Sequence, residues 1–204
     1  MLVVGLTGSI GMGKSAVAAR LRAQGIAVCD ADAEVHKLYE GAAVPAIEAA
    51  FPGTTAAGKV DRQKLAAALL AEPGKFRRLE AIVHPLVFEA ERTFLRNEAA
   101  EGAAMAVIEV PLLLETGGER RVDAVIVCSA PAEAQRQRVM LRPGMTPEKL
   151  AQMLARQMPD AEKRARADFV VDTGGSFAES EAQVDKIVES LKGRRGTAFV
   201  KFWA

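Results

Sequence analysis

Five short apolar runs recur along the chain, and amphipathic segments separate them. Near-continuous apolar runs are typical of strands that are buried on both faces, as in a parallel sheet covered by helices. The runs lie within residues 2–6, 25–30, 104–110, 122–128 and 169–172. Apolar residues at helical spacing follow within residues 16–21, 133–141, 147–158 and 177–192. This alternation predicts an α/β fold with a doubly wound, parallel, five-stranded sheet.

Residues 40–102 have a different pattern. They are rich in alanine, glutamate, lysine and arginine, and they lack a comparable apolar strand. Prolines interrupt them at Pro45, Pro52, Pro73 and Pro85. The pattern predicts short helices that form an all-helical insertion after the second strand. The predicted organisation is a core of residues 1–39 and 103–193, a helical domain of residues 40–102, and a loose tail at 194–196.

The stretch GSIGMGKS directly follows the first apolar run. It fits the phosphate-loop pattern G-x-x-x-x-G-K-[ST], with a predicted strand before it and a predicted helix after it. Backbone N–H groups of such a loop surround phosphates, Lys14 reaches the β and γ groups, and Ser15 ligates magnesium. We therefore expect a nucleoside triphosphate with Mg²⁺. The predicted nucleotide-binding residues are Gly8, Gly11, Met12, Gly13, Lys14, Ser15 and Ala16.

Composition narrows the possible partners. The 204 residues are 50% hydrophobic, with a mean hydropathy of +0.07 and a net charge of +1. These values argue against a broad nucleic-acid-binding face. The apolar runs are too short for a membrane span and no cationic leader is visible, so a cytoplasmic protein without a membrane partner is predicted. Cys29 and Cys128 end predicted buried strands and are expected to be inert packing thiols.

A phosphate loop does not by itself define the reaction. The ABC-type signature LSGGQ and the guanine-reading motif N-K-x-D are both absent from the sequence. A small kinase needs an acceptor-binding insertion, a base and mobile cations, and residues 40–102 supply a candidate insertion. Asp30 and Asp32 follow the second strand, at the sheet edge where α/β proteins bind ligands. Asp30 is a candidate helix N-cap or substrate ligand, whereas Asp32 is the candidate acceptor base.

Arginines are concentrated on the predicted helix 133–141 and just after it. Arg138 and Arg142 are four residues apart, which would place them on one helical face. Pro143 and Gly144 follow as a candidate hinge for a lid, residues 138–165, that carries arginine onto the phosphates. Solvated surface arginine is the alternative.

Taken together, these residues closely resemble the dephospho-CoA kinase family over nearly the whole chain. The resemblance implies transfer of the γ-phosphate of ATP to the 3′-hydroxyl of dephospho-CoA, with Asp32 as the base, the helical insertion holding dephospho-CoA, and the arginine helix in the lid. It rests on residues 5–15, 30–32, 79–85 and 110–115, on Gln135, Arg138, Arg142 and Gln157, and on residues 163–172.

The resemblance also bears on several further residues. It favours an acceptor-site role for His84, which could instead cap a turn or satisfy a buried polar contact. Leu112 is a substrate-site candidate or core, and Glu115 is expected to face the acceptor cleft because a carboxylate is costly to bury unpaired. Glu109, a candidate magnesium ligand, and Thr173 stand where the family commonly has aspartate and asparagine.

Two other functions compete with this one. The first is another small-metabolite kinase with a phosphate loop, of the nucleoside monophosphate or shikimate type. The second is a nucleotide-dependent switch or assembly factor, which would need no acceptor base. Asp32 and the helical insertion favour a kinase. The sequence leaves the oligomeric state open.

Overall fold

The computed structural model of the chain describes residues 1–70, 72 and 74–204. It divides into two compact units. The first unit comprises Met1–Cys29 and Leu95–Ala204, and the second comprises Asp30–Phe94. The second unit begins and ends earlier in the chain than the predicted insertion 40–102. Pro73, one of the predicted helix breakers, lies outside the described residues.

All five predicted strands are confirmed, and two short strands occur in addition. The strands are β1 (Leu2–Thr7), β2 (Ala27–Asp30), β3 (Thr55–Ala56), β4 (Lys59–Val60), β5 (Met105–Glu109), β6 (Ala124–Ser129) and β7 (Phe169–Asp172). The five long strands form a parallel sheet of order β2-β5-β1-β6-β7. In the register of this sheet, Leu6 of β1 lies beside Glu109 of β5 on one side and Ile126 of β6 on the other. The strand that leads into the phosphate loop is therefore central.

The helices follow the predicted alternation. They are α1 (Lys14–Ala23), α2 (Ala31–Tyr39), α3 (Val44–Ala50), α4 (Arg62–Leu70), α5 (Gly74–Ala100), α6 (Ala132–Met140), α7 (Pro147–Leu154), α8 (Asp160–Ala165) and α9 (Phe177–Leu191). A 3₁₀ helix, Gly118–Arg121, and a π-helical turn, Phe199–Trp203, complete the described elements. Among the described residues, no helix combines the length and apolar character needed to cross a membrane.

The sheet is covered on both faces, as the apolar runs predict. Ile126 and Cys128 of β6 pack in one cluster with residues of α1 and α9. Val125 and Val127, which alternate with them, pack in a second cluster with Leu113. Because successive residues of a strand point to opposite faces, the continuous run of β6 serves both layers. Each fully buried aliphatic side chain contributes about 1.5–3 kcal/mol to folding.

The second unit has a core of its own, built around Ile47, Phe51, Leu65 and Val83. It is mostly helical, but the prediction of an all-helical insertion is wrong because β3 pairs with β4 in an antiparallel ladder. The tight turn between them uses positive φ at two successive residues, 50° at Ala57 and 77° at Gly58. An alanine in that conformation gives little sequence signal.

The predicted helix break at Pro85 is also wrong. The helix α5 is continuous from Gly74 to Ala100 with Pro85 inside it. Proline removes one N–H donor and crowds the preceding turn, but the apolar side chains around it keep their helical spacing and pack in the core of the second unit. Side-chain burial thus outweighs the local preference of proline.

The C-terminal residues after the segment 194–196, which was predicted to be loose, pack against the rest of the first unit. The carboxylate of Asp123 accepts hydrogen bonds from the N–H groups of Thr197, Ala198 and Val3, at 2.7–2.9 Å. Trp203 is fully buried, and its indole Nε1 donates to the carbonyl of Arg121 at 2.8 Å. A buried tryptophan with a satisfied N–H anchors the tail.

Candidate nucleotide-binding and catalytic site

The phosphate loop occupies Gly8–Gly13, between the end of β1 and the start of α1. Three of its residues have positive φ, namely Gly8 at 151°, Gly11 at 76° and Gly13 at 80°. A Cβ at Gly8 would lie 2.6 Å from the carbonyl oxygen of Cys128, and one at Gly13 would lie 2.8 Å from Oγ1 of Thr173. Both the backbone conformation and the close packing therefore require glycine.

The lysine of the loop is folded back over it. Lys14 Nζ donates to the carbonyl of Gly8 at 2.8 Å. The charges of Lys14 and Glu109 both act on the thiol of Cys128, which is fully buried in β6. Burial raises the pKa of this thiol to about 12, with Lys14 lowering it and Glu109 raising it. Cys128 is therefore a protonated packing thiol, as predicted. Lys14 follows β1 and Glu109 ends the neighbouring strand β5, so both lie at the carboxyl end of the sheet.

Two side chains whose oxygen atoms could coordinate a cation lie on the elements that flank the loop. Glu109 is the last residue of β5 and is only 6% exposed. Ser15 is the second residue of α1 and is exposed. Among the described residues, no group of three or more His, Cys, Asp or Glu side chains is arranged to hold a metal ion. A cation here would need ligands from its substrate or from water.

Arg138 is held against the phosphate loop by backbone acceptors. Its guanidinium donates to the carbonyl of Thr173 at 2.5 Å, to Thr173 Oγ1 at 3.2 Å and to the carbonyl of Gly11 at 3.5 Å. The hydroxyl of Thr173 also lies 3.0 Å from the carbonyl of Met12 and 3.2 Å from that of Ser129. Thr173, noted in the sequence as a departure from asparagine, thus links the end of β7 to the loop.

Arg142 does not share a helical face with Arg138, so that prediction is wrong. The helix α6 ends at Met140, and Arg142 lies in the turn before Gly144, where φ is 72°. Its side chain is exposed and donates no hydrogen bond to any residue that the structure describes. The guanidinium of Arg142 is therefore available to a ligand.

Glu115 has an internal partner that the sequence did not indicate. Its Oε1 accepts a hydrogen bond from the N–H of Met158 and pairs with Lys163 Nζ, both at 2.8 Å. Lys163 is fully buried and also donates to the carbonyl of Pro111 at 3.1 Å. The nearby Leu112 is 37% exposed. Substrate contacts by Glu115 and Leu112 stay predictions.

In the second unit, Asp30 is the N-cap of α2, which is one of its two predicted roles. Its Oδ1 accepts hydrogen bonds from the N–H groups of Asp32 at 2.9 Å and Ala33 at 3.2 Å. The carboxylate of Asp32 itself is exposed and accepts no hydrogen bond from any described residue. Among the described residues, the carboxylate of Asp32 therefore has no hydrogen-bond or ion-pair partner.

Two histidines lie in the same unit. The carbonyl of Asp32 can only accept, so the Nδ1 of His36, 2.7 Å away, must donate to it. The Nε2 of His36 lies 2.6 Å from Nη1 of Arg62. His84 is exposed on α5, so the alternative that it caps a turn or lies buried is wrong.

The contacts of two glutamines with the phosphate loop were not predicted from the sequence. Gln135 Nε2 donates to the carbonyl of Ile10 at 2.8 Å, and Gln157 Oε1 accepts from the N–H of Ile10 at 3.1 Å. Both glutamines stood among the residues of the family resemblance, but nothing in their local sequence indicated a contact with the loop.

A phosphate loop that joins the central strand of a parallel five-stranded sheet to a helix defines the P-loop class of nucleotide-binding α/β proteins. The family model described as "Dephospho-CoA kinase" matches residues 2–179. The chain belongs to the dephospho-CoA kinase family. The predictions of the family, of the fold class, and of an ATP-dependent phosphotransferase acting as a dephospho-CoA kinase are confirmed.

Full-length relatives agree with the family model. A dephospho-CoA kinase from Rhodopseudomonas palustris is 57% identical over 190 residues, which are 93% of this chain and 96% of the relative. Another from Mesorhizobium japonicum is 53% identical over 197 residues, which are 97% of this chain and 100% of the relative. A crystal structure of a Thermus thermophilus protein is 36% identical with a TM-score of 0.80, over 94% of this chain and 98% of that one.

Proposed function

We propose that the chain transfers the γ-phosphate of ATP to the 3′-hydroxyl of dephospho-CoA, giving CoA and ADP, and that the residues predicted from the sequence carry the steps. The observation that carries this proposal is the folded phosphate loop, with Lys14 bonded to Gly8, in a chain of this family. The cytoplasmic location stays a prediction.

The donor side of the reaction belongs to the phosphate loop and the start of α1. Backbone N–H groups from Gly8 to Ala16 and the N-terminus of α1 bind the phosphates of ATP. Lys14 exchanges the carbonyl of Gly8 for oxygens of the β- and γ-phosphates. Its charge then stabilises the negative charge that develops as the bond between the γ-phosphorus and the β–γ bridging oxygen breaks.

Magnesium fits the residues present. Mg²⁺ prefers oxygen ligands, and in nucleotide sites it uses one or two protein groups together with phosphates and water. The hydroxyl of Ser15 and the buried carboxylate of Glu109 are such groups, and Glu109 is placed by its register beside β1. When bound, the ion neutralises charge on the phosphates. Ser15 and Glu109 would hold it.

The acceptor side belongs to the second unit. Asp32 orients the 3′-hydroxyl of dephospho-CoA and takes its proton as the oxygen–phosphorus bond forms. Its exposed carboxylate, without a hydrogen bond from any described residue, supports this role. Asp30 fixes the first turn of α2 by accepting the N–H of Asp32.

Further residues are assigned to substrate binding and to the lid. The acceptor-site residues are His84, Leu112 and Glu115, with Asp30 as a candidate through its remaining oxygen. The exposed guanidinium of Arg142 contacts the transferring phosphoryl group from the lid segment, residues 138–165. Arg138 adds positive charge beside the loop, although its donors already serve the carbonyls of Gly11 and Thr173.

The roles of the two aspartates are tested by comparing Asp32→Asn with Asp30→Asn. Asparagine keeps the size of Asp32 but removes its charge and its ability to take a proton. We expect kcat to fall by about 10²- to 10⁴-fold for Asp32→Asn, with ATP affinity measured by calorimetry unchanged. Asparagine also caps helices well, so Asp30→Asn should keep kcat within a few-fold of the wild type. Loss of turnover in Asp30→Asn alone would reverse the two roles.

A further inference from the structure

One residue of the phosphate loop, Ile10, has both of its backbone polar groups bound by side chains. Its N–H donates to Oε1 of Gln157 at 3.1 Å, and its carbonyl accepts from Nε2 of Gln135 at 2.8 Å. Gln135 lies on α6 and is only 6% exposed. Gln157 lies after the end of α7. Two amide side chains from separate parts of the chain therefore fix two successive peptide planes of the loop.

The side chain of Ile10 is held in the same region. It packs in a small cluster with the buried residues Val139 and Leu150. Met145 and Leu154 pack against that cluster. All of these partners belong to α6 or to the segment 138–165, so the middle of the loop is anchored to that segment by apolar contacts as well as by hydrogen bonds.

The bond from Gln135 also determines where the next N–H group points. In a trans peptide the carbonyl and the N–H point in opposite directions, so a carbonyl of Ile10 held toward Gln135 directs the N–H of Gly11 away from it. That N–H donates to none of the described residues. A Cβ at Gly11 would lie 2.6 Å from Cγ2 of Val139. The helix α6 therefore packs against Gly11 on the side away from its N–H group.

We propose that Gln135 and Gln157 are positioning residues, which hold the Ile10 backbone so that the N–H of Gly11 is already directed at the phosphate of the bound nucleotide. Neither glutamine needs to touch the nucleotide. Without them, the glycine-flanked loop must be ordered at the moment of binding, and that ordering reduces affinity. The consequence for turnover rests on the proposed function, whereas the consequence for nucleotide binding does not.

The test compares four single variants and one double variant, Gln135→Met with Gln157→Met, in their binding of ADP with magnesium, measured by isothermal titration calorimetry without an acceptor. Gln135→Met and Gln157→Met remove one hydrogen bond each at nearly constant length. Gln137→Met is the matched control on α6, because Gln137 is exposed and its side chain bonds only to Glu133 among described residues. Gln152→Met is the control on α7, where Gln152 is exposed and has no side-chain hydrogen bond to a described residue.

We expect ADP to bind about tenfold more weakly to Gln135→Met and several-fold more weakly to Gln157→Met, since each loses about one net hydrogen bond. The two controls should stay within about twofold of the wild type. The double variant should lose less than the product of the single losses, because both glutamines act on one residue. Hydrogen exchange at the Ile10 amide, followed by NMR without nucleotide, should be faster in Gln157→Met than in Gln152→Met.

A purely structural role predicts a different result. Gln135→Met and Gln157→Met would then lower thermal stability while the folded proteins bound ADP like the wild type, and that outcome would overturn the proposal. In the kinase assay, the KM for ATP should rise in both variants while the KM for dephospho-CoA stays constant. If the wild type bound ADP but did not phosphorylate dephospho-CoA, the proposed function would fail, and the ADP affinities would still decide the role of the glutamines.

Discussion

Replacing Lys163 by methionine should destabilise the protein strongly. Methionine matches the length of the lysine stem but carries no charge and donates no hydrogen bond. Lys163 is fully buried, and its Nζ lies 2.8 Å from Oε1 of Glu115. The substitution leaves the carboxylate of Glu115, whose side chain is 16% exposed, without its counter-charge.

The size of the effect follows from the remaining contacts. Removing one partner of a buried ion pair costs about 3–5 kcal/mol. The carbonyl of Pro111 loses the lysine but keeps the hydroxyl of Thr7 at 3.2 Å, so it adds little. Glu115 keeps only the N–H of Met158 on Oε1, and its Oε2 is buried without a hydrogen-bond partner. We therefore expect a loss of about 3–4 kcal/mol in the free energy of unfolding, or roughly 10 °C in Tm.

Urea unfolding of Lys163→Met, Glu115→Leu and the double variant measures this cost. The double variant removes both charges and leaves the N–H of Met158 as the main unsatisfied group, which costs about 1–3 kcal/mol. It should therefore be more stable than Lys163→Met alone. The reasoning is refuted if the stability of Lys163→Met lies within about 1 kcal/mol of the wild type, or if the double variant is less stable than Lys163→Met.

Two further predictions concern the lid and the buried thiol. Arg142→Lys keeps the charge but loses the planar fork, so kcat should fall by more than the KM for dephospho-CoA rises; an unchanged kcat in steady-state assays would remove Arg142 from the transition state. The pKa of Cys128 is raised to about 12 in the folded protein, so its contribution to stability is complete below the unfolded pKa of about 8.5 and is lost as the pH rises toward 12. Between about pH 9 and 11, the free energy of unfolding measured in urea should fall more steeply in the wild type than in Cys128→Ala. The difference between the two slopes should be about 1.4 kcal/mol per pH unit, and equal slopes would contradict a buried, protonated thiol.

The features that the sequence predicted well are those with a local physical cause. The run around Ile126 predicted a strand because a strand buried on both faces leaves no polar position. The phosphate loop was predictable because Gly8, Gly11 and Gly13 must adopt positive φ. Asp30 was foreseen as a possible N-cap because aspartate before a helix accepts its free N–H groups.

The features that were missed depend on the tertiary structure. Glu115 and Lys163 are distant in sequence, and neither carries a local sign of its partner. The ladder of β3 and β4 depends on an alanine at positive φ, Ala57, which propensities disfavour. The continuation of α5 through Pro85 depends on the apolar residues of the second unit, and the order of the tail depends on the burial of Trp203. In each case, packing outweighs a local preference.

The sequence predicted which residues form the candidate site better than it predicted which residues they contact. Lys14 and Glu109 lie at one end of the sheet, as the alternation of strands and helices implies. In contrast, the contacts of Arg138 with Gly11 and Thr173 required knowing that β7 ends beside the loop. A side chain chosen from sequence for its charge proved to be hydrogen-bonded to the backbone of the loop.

Formation of ADP from ATP in the presence and absence of dephospho-CoA tests the central claim most directly. The wild type should release one ADP for each CoA formed, with little ADP without the acceptor, and Lys14→Ala should release almost none in either case. Phosphorus NMR of the product should place the new phosphate on the 3′-hydroxyl. ADP release at the same rate with and without dephospho-CoA would contradict the account, because the protein would then hydrolyse ATP without transferring its γ-phosphate.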